Sequence, residues 1–311
     1  MGRRLRFIPP GGCLVEVTNR TIQGRYLLRP STELNELVVG VLGRAQRIYG
    51  VEIHACIVLS NHFHMLMTVR SAFQLAQFMA YFQGNVAKEA GRLHRWRGPF
   101  WHRRYQHVLV SDEEVAQVSR LRYLLENGCK EGLVSSPIEW PGVSSVQTFF
   151  GGQALRGVWI DRTRERQASV GSDVEAGVQF QENEVVNLTP LPCWEGQEPG
   201  AVRERVHELV AEIESETESR HRADCTKPIG ARQVSLQDPH EKPSHSKWSP
   251  APMFHCASKE ARGLLWEAYV AFCDVYRSVA ERWRTVGFRP GFPDGAFPPP
   301  FPFHRLYQML E

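Results

Sequence analysis

Three residue types in this chain stand at spacings that can do chemistry together. His62 and His64 flank one bulky residue, and Tyr123 is followed by Asn127 four positions on. If 62–69 (HFHMLMTV) is a strand, its side chains alternate between faces. Phe63, Met65, Met67 and Val69 then share a face suited to a helix-covered core, and His62, His64, Leu66 and Thr68 share the other. Two imidazoles at i and i+2 can converge on one divalent cation, although imidazole accepts several metals and does not say which. A strand can equally present two histidines to solvent.

Tyr123 falls in a helical stretch whose apolar stripe is Val118, Leu121 and Leu125. At about 100° per residue it lies almost opposite Leu121 and Leu125, so it is not placed primarily for packing. Asn127 stands beside it on the same face, with Ser119 and Arg120 in the neighbourhood. A phenol, with a pKa of about 10, is a poor nucleophile at neutral pH. A nearby cation would polarise a phosphate and stabilise charge at five-coordinate phosphorus, and Asn127 could lend that cation an oxygen. The plainer alternative is a half-exposed surface aromatic.

The elements that must position these groups are legible in the first half. Strand signals cover 13–20, 51–59, 62–69 and 105–110, and Ser60-Asn61 can form a tight turn between the middle two. Helical spacing covers 33–48 and 72–91. A third helix is expected from Ser111, where Ser-Asp-Glu-Glu matches a capping box, to near Gly128. The order β-α-β-β-α-β plus a terminal helix predicts an α+β, ferredoxin-like antiparallel sheet with helices on one face and the other face open.

This gives a domain over 1–157. Beyond it, 158–311 reads as a mainly helical extension of unknown role. It opens with a polar stretch at 161–185. A charged helix follows at 201–224 with Val202, Val206, Leu209, Val210 and Ile213 on one stripe, and an amphipathic helix covers 259–285. The segment 225–258 reads as a polar linker, and Pro290 to Pro302 is too proline-rich for helix or sheet. His221, Cys225, His240 and His245 match no metal-site spacing and are assigned to that linker.

Composition narrows the class. The chain has 311 residues, 42% of them hydrophobic, enough to build a core. No run of eighteen apolar residues occurs, which argues against a membrane partner, and the start lacks a secretory signal's apolar stretch. Seven scattered cysteines without a Cys-x-x-Cys pair suit a reducing cytoplasm. The net charge of +3 hides an asymmetry: residues 1–160 carry 19 Lys+Arg against 11 Asp+Glu, the remainder 18 against 23. A basic front half suits a polyanionic partner, although charge alone does not establish one. Between 92 and 105, Arg92, Arg95, Arg97, Arg103 and Arg104 interleave with Trp96, Phe100, Trp101 and Tyr105. That mixture suits single-stranded nucleic acid, charge for phosphates and rings for bases, with Phe100 and Trp101 expected to be partly buried.

Three ordered segments carry a resemblance. Ser60-Asn-His62-Phe-His64-Met-Leu66 resembles the HUH motif of single-tyrosine transposases, U being a bulky apolar residue. Gly98-Pro-Phe-Trp-His-Arg-Arg-Tyr105 resembles the segment before their fourth strand. Tyr123-Leu-Leu-Glu-Asn127-Gly-Cys-Lys-Glu-Gly132-Leu-Val134 resembles their Tyr-Ile-x-x-Asn-Pro-Val-Arg-Ala-Gly-Leu-Val. Spanning roughly 10–150, the match is nearest to the REP-associated tyrosine transposases, relatives of the insertion-sequence-200 group. Gly128 replaces the usual proline, and small members lack the C-terminal extension.

The resemblance implies Tyr123 as nucleophile, with His62, His64 and Asn127 as ligands of Mg2+ or Mn2+. It implies a 5′-phosphotyrosine intermediate that releases a 3′-OH and can be reversed without ATP. The expected partner is single-stranded, hairpin-bearing DNA, and the family includes monomers and homodimers. Candidate DNA contacts are Arg3, Arg4 and Arg6 at a hairpin foot, Arg92, Arg95, Trp96, Arg97, Arg103 and Arg104, and Arg120 beside the tyrosine. Two other readings compete: a non-catalytic hairpin DNA or RNA binder using an open sheet face, and metal-dependent hydrolysis by water with Tyr123 idle. Only the tyrosine chemistry predicts a covalent protein–DNA adduct.

Overall fold

The computed structural model describes residues 5–168, 180–244, 252–286, 291–296 and 298–299. Its centre is an antiparallel sheet of β1 (Cys13–Arg20), β2 (Glu52–Leu59), β3 (His62–Val69) and β4 (Gln106–Val110), in the order β2-β3-β1-β4. All four pair antiparallel, the ferredoxin-like arrangement. Ser60 and Asn61 form the expected two-residue turn.

Two helices cross one face. α1 (Thr32–Tyr49) starts where the Ser31 hydroxyl accepts from the Leu34 N–H and ends at Gly50 in the left-handed region, φ 60°. α2 (Ala72–Leu93) is capped the same way by Ser71. Alternation puts Val15, Val17, Phe63, Met65, Met67 and Val69 under them, in one core with Leu34, Leu42, Phe78 and Phe82.

The other face is not open. It carries Leu14, Ala55, Ile57, Leu59 and Leu66, which form a second core with Leu121, Leu124 and Leu125 of α3 (Glu114–Lys130). Val202, Val206, Val210 and Ile213 of the extension and Trp140 complete that core. α3 also starts later and ends later than its sequence signals. The Ser111 N–H donates to His255 O, so Ser111 is still paired at the sheet, and its hydroxyl donates to the Glu113 carboxylate instead of capping. Gly128 does not end the helix: it is buried where a Cβ would meet Val134 at 3.0 Å and Trp140 at 3.5 Å.

Between α3 and the long helix of the extension lie α4 (Val146–Gly151), β5 (Leu155–Ile160), α5 (Arg162–Ala168) and β6 (Gln181–Val186). β5 and β6 form a separate two-stranded sheet. That ribbon lies so close to α1 that a Cβ at Gly40 would stand 2.1 Å from Val158 O. The polar interval 161–185 thus ends in a strand.

The rest of the extension is built into the domain. α6 (Pro199–Ala223) is the helix over the second core. Within the supposed linker, α7 (Ala231–Ser235) buries Val234 in that core. β7 (Phe254–His255) then adds to the sheet edge parallel to β4. α8 (Lys259–Val286) sets Leu265, Tyr269 and Phe272 against the first core. Residues on both sides of the 157/158 boundary therefore share both cores. Among the described residues no helix is long and apolar enough to cross a membrane.

Candidate active site

His62 and His64 project from β3 on the face away from α1 and α2, as alternation requires. Their rings lie 5.1 Å apart, and the Tyr123 ring stands 5.7 Å from His64, edge to face. The strand pair, the turn and α3 thus bring together the three groups separated in sequence by nearly sixty residues.

Each histidine has one nitrogen already committed. His62 Nδ1 donates to the Asn61 side-chain oxygen at 2.7 Å, and His64 Nδ1 donates to Glu16 Oε1 at 2.5 Å. A carboxylate and an amide oxygen can only accept, so the proton sits on Nδ1 in both rings. Nε2 is left with its lone pair, the arrangement that orients metal-binding imidazoles. Burial pushes the His62 pKa well below its usual value, with the Arg20 charge acting in the same direction, so this ring is held neutral.

Glu16 was not singled out by the sequence. It sits on β1 opposite Leu66, two pairs along from Thr18 opposite His64 and on the same face, and is 1% exposed. Burial works against its charge, yet the hydrogen bond from His64 and the charge and hydrogen bond of the Arg120 guanidinium outweigh that and hold its pKa below the usual carboxylate range. The signal that could have found it is register: diagonal neighbours on adjacent strands are within reach of each other.

Arg120 does not face outward. It is ion-paired to Glu16, and its guanidinium lies 4.4 Å from the Tyr123 ring centroid. Its charge is thus engaged inside the site, which removes it from the expected DNA contacts. Lys130 Nζ, also unforeseen, stands 4.4 Å from the same ring and is nearly half exposed, with Glu126 at 3.6 Å. Burial and then the Glu16 charge push the Tyr123 pKa up, while Arg120 pulls it down.

Asn127 is beside Tyr123 but turned into the protein, 2% exposed. Its NH2 donates to Tyr123 O at 2.7 Å and Leu124 O at 3.3 Å on its own helix, which leaves Oδ1 as its ligand atom. Among the described residues no group of three or more His, Cys, Asp or Glu side chains is arranged to hold a metal. A site here therefore rests on two imidazoles plus an amide or substrate oxygen.

The candidate DNA contacts divide. Arg95, Arg97, Arg103 and Arg104 are exposed and, among the described residues, make no salt bridge. Arg92 is exposed but paired with Glu89. Trp96 is half-buried beneath Arg25, and Trp101 donates its indole N–H to Gln83 O at 2.9 Å. Phe100 is buried and Trp101 half-buried, as expected. Arg6 is a correction: it is buried over the Tyr105 ring, and burial lowers its pKa to about 10. An arginine enclosed by aromatic packing cannot reach a hairpin foot. Arg3 and Arg4 lie outside the described residues, as does His245.

Residues 25–124, a segment that includes both histidines and the tyrosine, match the family described as "Transposase IS200 like". No curated protein matches the chain. Among solved structures, a REP-associated tyrosine transposase bound to a REP hairpin is 16% identical, covering 61% of this chain and 99% of its own, with a TM-score of 0.39. A candidate transposase from Deinococcus radiodurans R1 is 17% identical, covering 39% of this chain and 95% of its own, with a TM-score of 0.27. The fold needs neither likeness, since strand order and direction give it directly. Residues 25–124 of this chain are thus similar to the IS200-like transposase family, the resemblance that the motifs around His62, His64 and Tyr123 carry.

Proposed function

We propose that this transposase-family protein nicks and rejoins single-stranded DNA beside a hairpin, through a covalent bond to Tyr123. The observation that carries the reading is the double commitment of the imidazoles: both Nδ1–H groups donate elsewhere and both Nε2 lone pairs remain, with His62 against His64 and His64 against a phenol. A purely binding protein has no use for two oriented ligand atoms beside a tyrosine.

His62 and His64, with the Asn127 Oδ1, fit a divalent cation such as Mg2+ or Mn2+. When bound, such an ion would polarise the scissile phosphate and stabilise the charge of its five-coordinate state. Arg120, held by Glu16 against the ring, favours the developing phenolate. Lys130 is free to swing from the ring towards a phosphate oxygen. The Tyr123 oxygen forms the new P–O bond, the bond from phosphorus to the 3′ oxygen breaks, and that oxygen leaves as a hydroxyl. The phenol's proton passes to solvent and the leaving oxygen takes one, so the step balances. The phosphotyrosine keeps the ester energy, and attack by a 3′-OH reverses the step.

The test uses hairpin DNA with single-stranded flanks, end-labelled in two separate preparations, with Mn2+. One product should be a free strand that a polymerase extends from its 3′-OH, and the other should stay with denatured protein. Two free products, one ending in a 5′-phosphate, would instead show hydrolysis by water.

A further inference from the structure

The segment that reads as a linker and the segment that reads as DNA-binding meet in space. Residues 238–242 strap across the start of the domain. Arg25 Nη1 donates to His240 O, and the Tyr26 N–H donates to Glu241 O at 3.0 Å. The His240 N–H donates to Asp238 Oδ1 at 2.8 Å, which fixes the turn. The His240 ring lies 5.8 Å from the Trp96 ring, tilted by 50°, and Arg25 lies over the same indole at 5.3 Å.

The imidazole is held in one orientation. Its Nε2 bonds to His94 O at 2.9 Å, and a carbonyl only accepts, so Nε2 carries the hydrogen. Nδ1 is the ring atom left for a ligand, and His240 is exposed. Arg95 and Arg97, the chain neighbours of Trp96, are exposed, as is Lys242 of the strap, which also carries the acidic Asp238 and Glu241.

We propose that His240 and Trp96 form a reading notch for one unpaired nucleotide flanking the hairpin, the base against the indole edge and its polar edge at His240 Nδ1. The inference rests on the function proposed above. An unpaired base is the fitting ligand because a base stacked within a duplex offers no ring face to side chains, whereas a splayed base does. The surrounding arginines and lysine supply the charge that its phosphates require.

Binding of fluorescent hairpin DNA is compared with and without an unpaired flank, for wild type, His240→Ala and His240→Gln. The readout is the ratio of the two dissociation constants. Wild type prefers the flanked hairpin, and His240→Ala loses about fivefold or more of that preference. His240→Gln, whose amide can donate to His94 O and still offer an oxygen, recovers much of it. A strap that merely undocks would weaken both ligands together and leave the ratio alone, and that result overturns the proposal, as does an unchanged ratio with normal binding. Failure of the wild type to bind either hairpin would sink the functional reading itself.

Discussion

The two faces of the central sheet are built from the same four strands and differ in what they bury. The face under α1 and α2 is almost wholly apolar, with Phe63, Met65, Met67 and Val69 of β3 enclosed by Phe78 and Phe82. The face under α3 buries Glu16, His64, Gln117 and Asn127 among its leucines. Burying a carboxylate costs several kcal/mol unless it is paired and hydrogen-bonded. Here Glu16 satisfies both conditions, through His64 and Arg120, and each partner is oriented in return. One face is packed by apolar side chains, and the other gives up part of its packing to hold an imidazole, a carboxylate and a guanidinium in fixed orientation.

Breaking that contrast at its sharpest point means removing the phenolic oxygen alone. Tyr123→Phe keeps the ring against His64 and should lower covalent capture of DNA by roughly a thousandfold or more. A rapid-quench assay of adduct formation measures this, and residual capture near the wild-type rate would reassign the nucleophile. On the apolar face, Phe78→Ala should cost about 3–5 kcal/mol of stability. Thermal denaturation checks it, and a shift no larger than that of a surface substitution would mean the first core is not packed as described. Glu16→Gln tests the link between the faces' chemistry and their burial. It should weaken Mn2+ binding by about 10–100-fold in calorimetry, because a neutral amide lacks the charge that holds both His64 and Arg120 in place. Equal affinity would leave Glu16 with a packing role only. Lys130→Ala should have a smaller effect, slowing adduct formation by roughly tenfold while leaving the melting temperature within about a degree, since an exposed ion pair contributes little.

The contrast also explains what the sequence made legible. Strands and helices of the first half follow their periodicity closely, because alternation in β3 and the serine caps of α1 and α2 are local signals. The histidine–tyrosine constellation was legible for the same reason, each motif lying within one element. Glu16 was hidden because its meaning depends on the register of β1 against β3. Arg120 and Arg6 looked like DNA contacts because their burial depends on Glu16 and Tyr105, distant in sequence. The cover over the second face came from α6, whose stripe of Val202, Val206, Val210 and Ile213 was visible while its partner was not. The start of α3 was misplaced because the Glu113 carboxylate, apparently part of a capping box, accepts from Ser111 and from the Ala257 N–H next to β7.

The account stands on the pairing of one phenol with two oriented imidazoles, and one experiment addresses that pairing directly. The protein is incubated with hairpin-bearing single-stranded DNA and Mn2+, digested, and the nucleotide-bearing peptide identified by mass spectrometry. We expect the nucleotide on the peptide containing Tyr123, formed in wild type and absent after chelation or in His62→Ala and His64→Ala. An adduct on another residue, or one that forms equally well without both histidines, would contradict it.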